Sequence, residues 1–169
     1  MVNNPKYLLL HTEANAIITN RPRIHAVNEY HRFRKDAKGD FLYHNGKPSS
    51  LGWYVAYHYF VERDGSYVQC RKDDEIGAHC PTTVNGKSMN VQSISACFAG
   101  NGDLELPTPA QTATLKKLVK EKMQLWNIPK ENIRFHREFD KTGKTCPGKL
   151  ITQEWVQQNL LTDNPYVEA

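Results

Sequence analysis

Two histidines and one cysteine stand at positions where their side chains could bind a metal ion. His11 closes a short apolar run, His136 closes another predicted strand, and Cys146 follows ten residues later in a polar loop. Active sites of α/β proteins are usually built at strand ends, and a catalytic zinc ion uses three protein ligands while one position stays open for water. The spacing fits equally well two strand-end histidines with ordinary hydrogen-bond partners and an incidental thiol, so both interpretations stay open at this point.

Five short segments rich in apolar and aromatic residues are predicted to be the strands that position these side chains. They are Lys6–His11, Trp53–Glu62, Ser66–Cys70, Ser93–Ala99 and Asn132–His136. The turn sequence Arg63–Gly65 between the second and third strands predicts a β-hairpin.

Helices are predicted between and after these strands. One opens near Pro22 and runs to about Phe33, and a capping box from Thr108 to Gln111 opens another. A terminal helix is predicted at Trp155–Leu160. Because strands and helices alternate and one hairpin is antiparallel, the sequence predicts an α/β fold: a single domain, residues 1–169, with a mixed central sheet flanked by helices.

The bulk composition restricts the class of protein without naming a function. Hydrophobic residues make up 39% of the chain, charged residues 24%, and the net charge is +4. Between Lys116 and Lys149, ten Lys or Arg residues stand against four Asp or Glu. This excess suits an anionic polymer such as a cell wall or a nucleic acid, and equally a solvated helix face. The run Tyr7–Leu10 is too short to span a membrane and lacks the features of a secretory signal, so the chain is expected to stay in the cytoplasm.

Six short motifs follow one another in order along the chain. They are Tyr7–Thr12, Gly52–Phe60, Arg63–Gly65, Ile76–His79, His136 and Lys144–Gly148. As an ordered set they resemble the N-acetylmuramoyl-L-alanine amidase family, which includes the T-seven phage lysozyme and the animal peptidoglycan recognition proteins. The resemblance runs from about residue 6 to residue 158. It is closer to the phage lysins than to the cytosolic recycling amidases, which typically have Asp where Cys146 stands.

The resemblance implies roles for individual residues. The implied ligands of one zinc ion per chain are His11, His136 and Cys146. Tyr57 matches the catalytic tyrosine, and Lys144 matches the catalytic lysine of the phage branch. His79 is expected either to contact the peptide stem of the substrate or to be a plain loop histidine. Since neighbouring residues of a strand point to opposite faces, Tyr57 is assigned to the site and His58 to the core.

The chain departs from the family pattern in three places. Gln92 and Ser95 stand where Asn and Gly are common, and the polar segment Lys35–Ser50 is longer than the resemblance leads us to expect. We predict that Lys35–Ser50 is a loop that rims a site. All three departures are expected near the substrate groove, where they bear on substrate preference rather than on the chemistry.

The function implied by the resemblance is zinc-dependent hydrolysis of the amide bond between N-acetylmuramic acid and L-alanine in bacterial peptidoglycan. A lytic phage endolysin that waits in the host cytoplasm until the membrane is opened is the favoured interpretation. One alternative is a cytosolic muropeptide-recycling amidase, against which Cys146 argues. Another is a non-catalytic peptidoglycan-binding module, which usually lacks a zinc ligand. Nucleic-acid binding is not expected, and a phage RNA polymerase partner follows from family analogy only.

Overall fold

A five-stranded mixed sheet forms the centre of the computed structural model, which describes residues 1–162. In chain order the elements are β1 (Tyr7–Thr12), α1 (Arg23–Phe33), β2 (Tyr59–Val61), β3 (Tyr67–Gln69), β4 (Thr83–Val84), β5 (Lys87–Ser88), β6 (Ser93–Phe98), α2 (Pro109–Trp126), β7 (Ile133–Phe135) and α3 (Gln153–Asn159). The sheet order is β3-β2-β6-β1-β7, in which β2 and β3 are antiparallel and the other neighbours parallel. The predicted fold class is therefore confirmed; residues 163–169 of the predicted domain lie outside the described residues.

Side chains along β1 point alternately to the two faces of the sheet, and each face packs against a different layer of the protein. Leu8 and Leu10 pack in the main hydrophobic core with residues of α2 and α3. His11 points to the other face and is in register with Cys97 of β6, which packs in a second cluster together with α1. The sheet thus separates a large apolar core from the face on which the polar candidate residues lie.

The two longer helices are capped in different ways. α2 begins with the predicted capping box, in which the Thr108 hydroxyl accepts from the backbone N–H of Gln111 at 3.1 Å. α1 has no side-chain cap of its own, and the buried carboxylate of Glu62 instead accepts from the N–H groups of Arg23 and Ile24, each at 2.9 Å. The position of α1 is therefore fixed by the strand that ends beside it.

The predicted strand Trp53–Glu62 is much shorter in the structure, where β2 covers only its last part. The backbone donors before β2 are taken by side chains: Tyr54 N–H donates to Asn28 Oδ1 at 2.7 Å, and Ala56 N–H donates to His31 Nδ1 at 3.0 Å. Since both acceptors lie on α1, residues 54–56 are bonded to the helix and form no strand ladder.

Two segments outside the central sheet, a loop and a hairpin, connect its elements. Lys35–Ser50 is a loop, as predicted, with one isolated bridge between Lys35 and Phe41. The hairpin of β4 and β5 was not predicted, although its turn residues Asn85 and Gly86 have the positive φ angles, 52° and 76°, that favour such turns.

Within residues 1–162, no helix has the length and apolar character that crossing a membrane requires.

Candidate metal centre and active site

His11, His136 and Cys146 meet at the carboxyl end of the sheet. β1 and β7 are adjacent and parallel, so the histidines at their ends lie side by side, with ring centroids 4.6 Å apart. The Cys146 carbonyl accepts from the backbone N–H of Arg137 at 2.8 Å, which returns the loop to the same edge. One nitrogen or sulfur atom from each of the three residues lies within 4.8 Å of the others.

The chemistry of these three side chains fits a metal ion. Burial, followed by the charge of His136, lowers the pKa of His11 well below its usual value, and burial lowers the pKa of His136 to about 4. Both imidazoles are therefore neutral at pH 7 and each has a lone pair to offer. Burial raises the pKa of the Cys146 thiol to about 12, so ionisation of this thiol at neutral pH requires a compensating cation beside it.

Tyr57 lies beside the three residues, two positions before β2 begins. Its ring centroid is 4.9 Å from that of His11. Burial, and then the nearby Cys97 thiol, raises the pKa of Tyr57 well above its usual value, so the phenol stays protonated at neutral pH. His31 supports this position: its Nδ1 accepts from the N–H of Ala56, and its ring lies 5.4 Å from that of Tyr57. This supporting role of His31 was not predicted, although a histidine on the buried face of α1 is a sequence feature that indicates it.

Lys144 lies on the solvent side of the site, in the loop between His136 and Cys146. Its side chain is exposed, and its backbone N–H donates to the carboxylate of Asp140 at 2.8 Å. After burial, the charge of Lys144 is the largest cause that lowers the pKa of His136. The ammonium group therefore contributes positive potential at the three candidate ligands.

His58, the residue after Tyr57, is fully buried, and its ring lies 5.9 Å from that of His79. Its Nδ1 accepts from the backbone N–H of Ser95 at 3.2 Å, and its Nε2 donates to the carbonyl of Glu75 at 2.8 Å. Strand alternation does not decide which side these two residues face, because β2 begins only after both of them. The assignment of Tyr57 to the site and of His58 to the core stays a prediction.

His79 lies behind His11 and is only 5% exposed. Its Nδ1 is 3.0 Å from His11 Nε2, and its Nε2 is 3.3 Å from Ser93 Oγ. Both ring nitrogens therefore face protein partners. The contact with the peptide stem that the sequence suggested for His79 stays a prediction.

The three departures from the family pattern are placed differently from one another. Gln92 and Ser95 are buried, and the Gln92 amide donates to carbonyls of β4 and β5. Neither residue therefore offers an exposed side chain to a substrate, and their effect on substrate preference stays a prediction. Lys35–Ser50 does reach the neighbourhood of the site, because the ring of Tyr43 lies 4.2 Å from that of His31.

Comparison with known proteins adds sequence evidence to this geometry. Residues 1–149 match the family model described as N-acetylmuramoyl-L-alanine amidase. The chain is similar to the endolysin of Escherichia phage T7, with 28% identity over 119 residues, 67% of this chain and 72% of that protein.

Solved structures show the same fold at lower identity. The amidase LysC from Clostridium intestinale superposes with a TM-score of 0.69 at 22% identity and covers 95% of this chain and 88% of its own. The wild-type peptidoglycan recognition protein PGRP-LB of Drosophila superposes with a TM-score of 0.66 at 19% identity, covering 97% and 91%.

Proposed function

The chain belongs to the N-acetylmuramoyl-L-alanine amidase family, and we propose that it works as a zinc-dependent phage endolysin. Its activity is hydrolysis of the amide bond between N-acetylmuramic acid and L-alanine in bacterial peptidoglycan. The observation that carries the metal assignment is the convergence of His11, His136 and Cys146, whose ligand atoms lie within 4.8 Å of one another. Neutral imidazoles and a thiolate are ligands that zinc prefers, and three of them leave a coordination position open.

An amide is a weak electrophile and water is a weak nucleophile, so the site must improve both. A zinc ion held by these three residues would supply Lewis acidity to a carbonyl oxygen and would lower the pKa of water. The thiolate of Cys146 would offset part of the charge of that ion. The ammonium group of Lys144, which already lowers the pKa of His136, restores positive potential where negative charge develops on the amide oxygen.

Tyr57 supplies a polar hydrogen to the same space. Because its pKa lies well above the usual value, its phenol remains a hydrogen-bond donor over the whole neutral range. From its place beside His11 the phenol can orient the attacking water or donate to the carbonyl oxygen of the substrate. We therefore assign Tyr57 and Lys144 as the catalytic side chains.

The endolysin assignment is favoured by the similar phage proteins, which are named endolysins. We propose that the protein stays in the host cytoplasm and reaches the wall after the membrane has been permeabilised. A recycling amidase remains the alternative enzyme, and a wall-binding module without activity remains the alternative from another class. A phage RNA polymerase partner rests on family analogy and stays a prediction.

The test is the variant Cys146→Ser, which replaces a thiolate by a hydroxyl that remains protonated at neutral pH and is a poor zinc donor. We expect the wild type to bind one zinc ion per chain and to release free amino groups from purified peptidoglycan. The variant should lose zinc and hydrolysis while it still sediments with insoluble peptidoglycan. Cys80→Ser is the matched control, because Cys80 is a buried cysteine outside the three-residue group.

Two results would contradict the proposal. If wild-type protein sediments with peptidoglycan but releases no amino groups when zinc is supplied, the wall-binding interpretation is correct. If Cys146→Ser hydrolyses peptidoglycan normally, Cys146 is not a ligand. Mass spectrometry of the wild-type products identifies the bond, since cleavage by an amidase leaves intact glycan and a free L-alanine amino group.

A further inference from the structure

We propose that His79 is a positioning residue that fixes the tautomer of His11. It does so as the middle member of a hydrogen-bond relay that runs from the carbonyl of Met89 through Ser93 and His79 to His11. This inference rests on the proposed function in one respect, that His11 is a metal ligand. The tautomer itself is a property of the protein and is measurable without metal.

The relay begins at the carbonyl oxygen of Met89, which can accept a hydrogen bond but cannot donate one. The Ser93 hydroxyl donates to the carbonyl oxygen of Met89 at 2.6 Å. A hydroxyl carries a single proton, so Ser93 Oγ has only lone pairs to offer to His79 Nε2, which lies 3.3 Å away. His79 Nε2 must therefore carry a hydrogen and donate it to Ser93.

The next link follows from the chemistry of imidazole. The His79 ring is only 5% exposed, and within residues 1–162 its nitrogens face His11 and Ser93 and no carboxylate, so a charge on the ring would be buried without compensation and the ring is neutral. A neutral imidazole with hydrogen on Nε2 has a bare Nδ1. That Nδ1 lies 3.0 Å from His11 Nε2, which must then be the protonated nitrogen of His11. The lone pair of His11 is left on Nδ1, the atom 3.6 Å from Cys146 Sγ.

The surroundings of His79 hold its ring in this place. The backbone N–H groups of His79 and Cys80 both donate to Asn90 Oδ1, at 2.9 and 2.8 Å. The ring also lies close against Gly77, where an added Cβ would come within 2.5 Å of His79 Cδ2. Hydrogen bonds thus fix the backbone at His79, and the absence of a side chain at Gly77 leaves space for its ring. Both features are expected of a residue that orients another side chain.

The consequence concerns metal affinity. In the other tautomer, His11 would have hydrogen on Nδ1 and would present no lone pair toward Cys146 and His136. Partners that orient a ligand histidine are worth about 10- to 100-fold in metal affinity. Loss of the relay should therefore weaken metal binding without removing any ligand.

The experiment measures tautomer and affinity separately. In metal-free, ¹⁵N-labelled wild-type protein at neutral pH, long-range ¹H–¹⁵N spectra of the imidazoles should show His11 protonated at Nε2 and bare at Nδ1. Ser93→Ala should give His11 a mixed tautomer pattern and weaken zinc binding about tenfold or more in competition with a chromophoric chelator. The matched control is Ser95→Ala, which lies on the same face of β6 but bonds His58; it should leave both readouts at wild-type values.

The outcomes are distinct from those that test the enzyme. A wild-type His11 protonated at Nδ1, or a Ser93→Ala variant with wild-type tautomer and affinity, overturns the relay. If Ser93→Ala does not fold, His79→Gln and His79→Leu replace it: the Gln amide oxygen can accept from His11 and should preserve the tautomer, whereas Leu should not. A wild type with the expected tautomer that binds no zinc supports the relay and overturns the metal assignment instead.

Discussion

The ion pair between partly buried Asp73 and buried Lys122 of α2 offers a test of what stabilises this fold independently of its site. Asp73 accepts hydrogen bonds from Tyr59 Oη at 2.6 Å, Trp126 Nε1 at 3.0 Å and Lys122 Nζ at 3.0 Å. The side chains of Asp73 and Lys122 are only 10% and 7% exposed. The change Asp73→Asn keeps the shape and removes the negative charge.

The expected cost follows from these contacts. The introduced amide could still accept from Tyr59 through its oxygen, but its N–H groups would face two other donors, the Trp126 N–H and the Lys122 ammonium. Removing one partner of a buried ion pair typically costs about 3–5 kcal/mol. Lys122 keeps a second partner, Glu121, at 2.8 Å, so we expect the lower end of that range, about 3 kcal/mol. For a domain of this size, that corresponds to a fall in Tm of about 6–12 °C.

The assay is urea unfolding and thermal melting of Asp73→Asn beside the wild type. Asp74→Asn, which removes a charge from the adjacent exposed residue, is the control and should lie within about 0.5 kcal/mol of wild type. Peptidoglycan hydrolysis at 25 °C should be unchanged in both variants, because Tyr59 packs in the core on the opposite face from His11. If Asp73→Asn lowers the free energy of unfolding by less than about 1 kcal/mol, the reasoning is refuted. The attraction and hydrogen bonds of Asp73 would then barely exceed the cost of removing its charge from water.

Two further predictions concern the site and its acid sensitivity. Tyr57→Phe and Lys144→Ala should each retain zinc and lose about 100- to 1,000-fold in turnover of purified peptidoglycan; near wild-type rates would remove their catalytic assignment, and loss of zinc would make them structural. Burial lowers the pKa of His58 from 6.5 to about 4. Between these two pH values the unfolded chain binds a proton at His58 and the folded protein does not. The free energy of unfolding is therefore unaffected by His58 above about pH 6.5 and falls by about 3 kcal/mol as the pH drops to 4. Urea unfolding at several pH values should show His58→Gln to be less sensitive to acid than wild type, and an equal pH dependence of the two proteins would contradict this.

Features that depend on neighbours along the chain could be predicted from the amino-acid sequence. The apolar run that forms β1, the capping box at Thr108 and the turn at Gly65 were predictable because their hydrogen bonds and burial pattern are set within a few residues. The ordered motifs also identified the family, since they preserve residues whose chemistry is needed together. The same motifs contain His11, His136 and Cys146, so the candidate ligands follow from the sequence.

The hydrogen bonds between groups that are distant in the chain could not be predicted, because they depend on the three-dimensional packing. The segment before β2 has the composition of a strand, yet its N–H groups bond to Asn28 and His31 of α1, so no ladder forms there. The sequence placed His79 in a loop, but the packing of β6 beside β1 brings Ser93 to one side of its ring and leaves His11 on the other. Both cases have the same cause. A buried hydrogen-bonding group bonds to whatever partner the fold brings within about 3 Å. When that partner is far away in the chain, it can be identified only after the pairing of the strands is known.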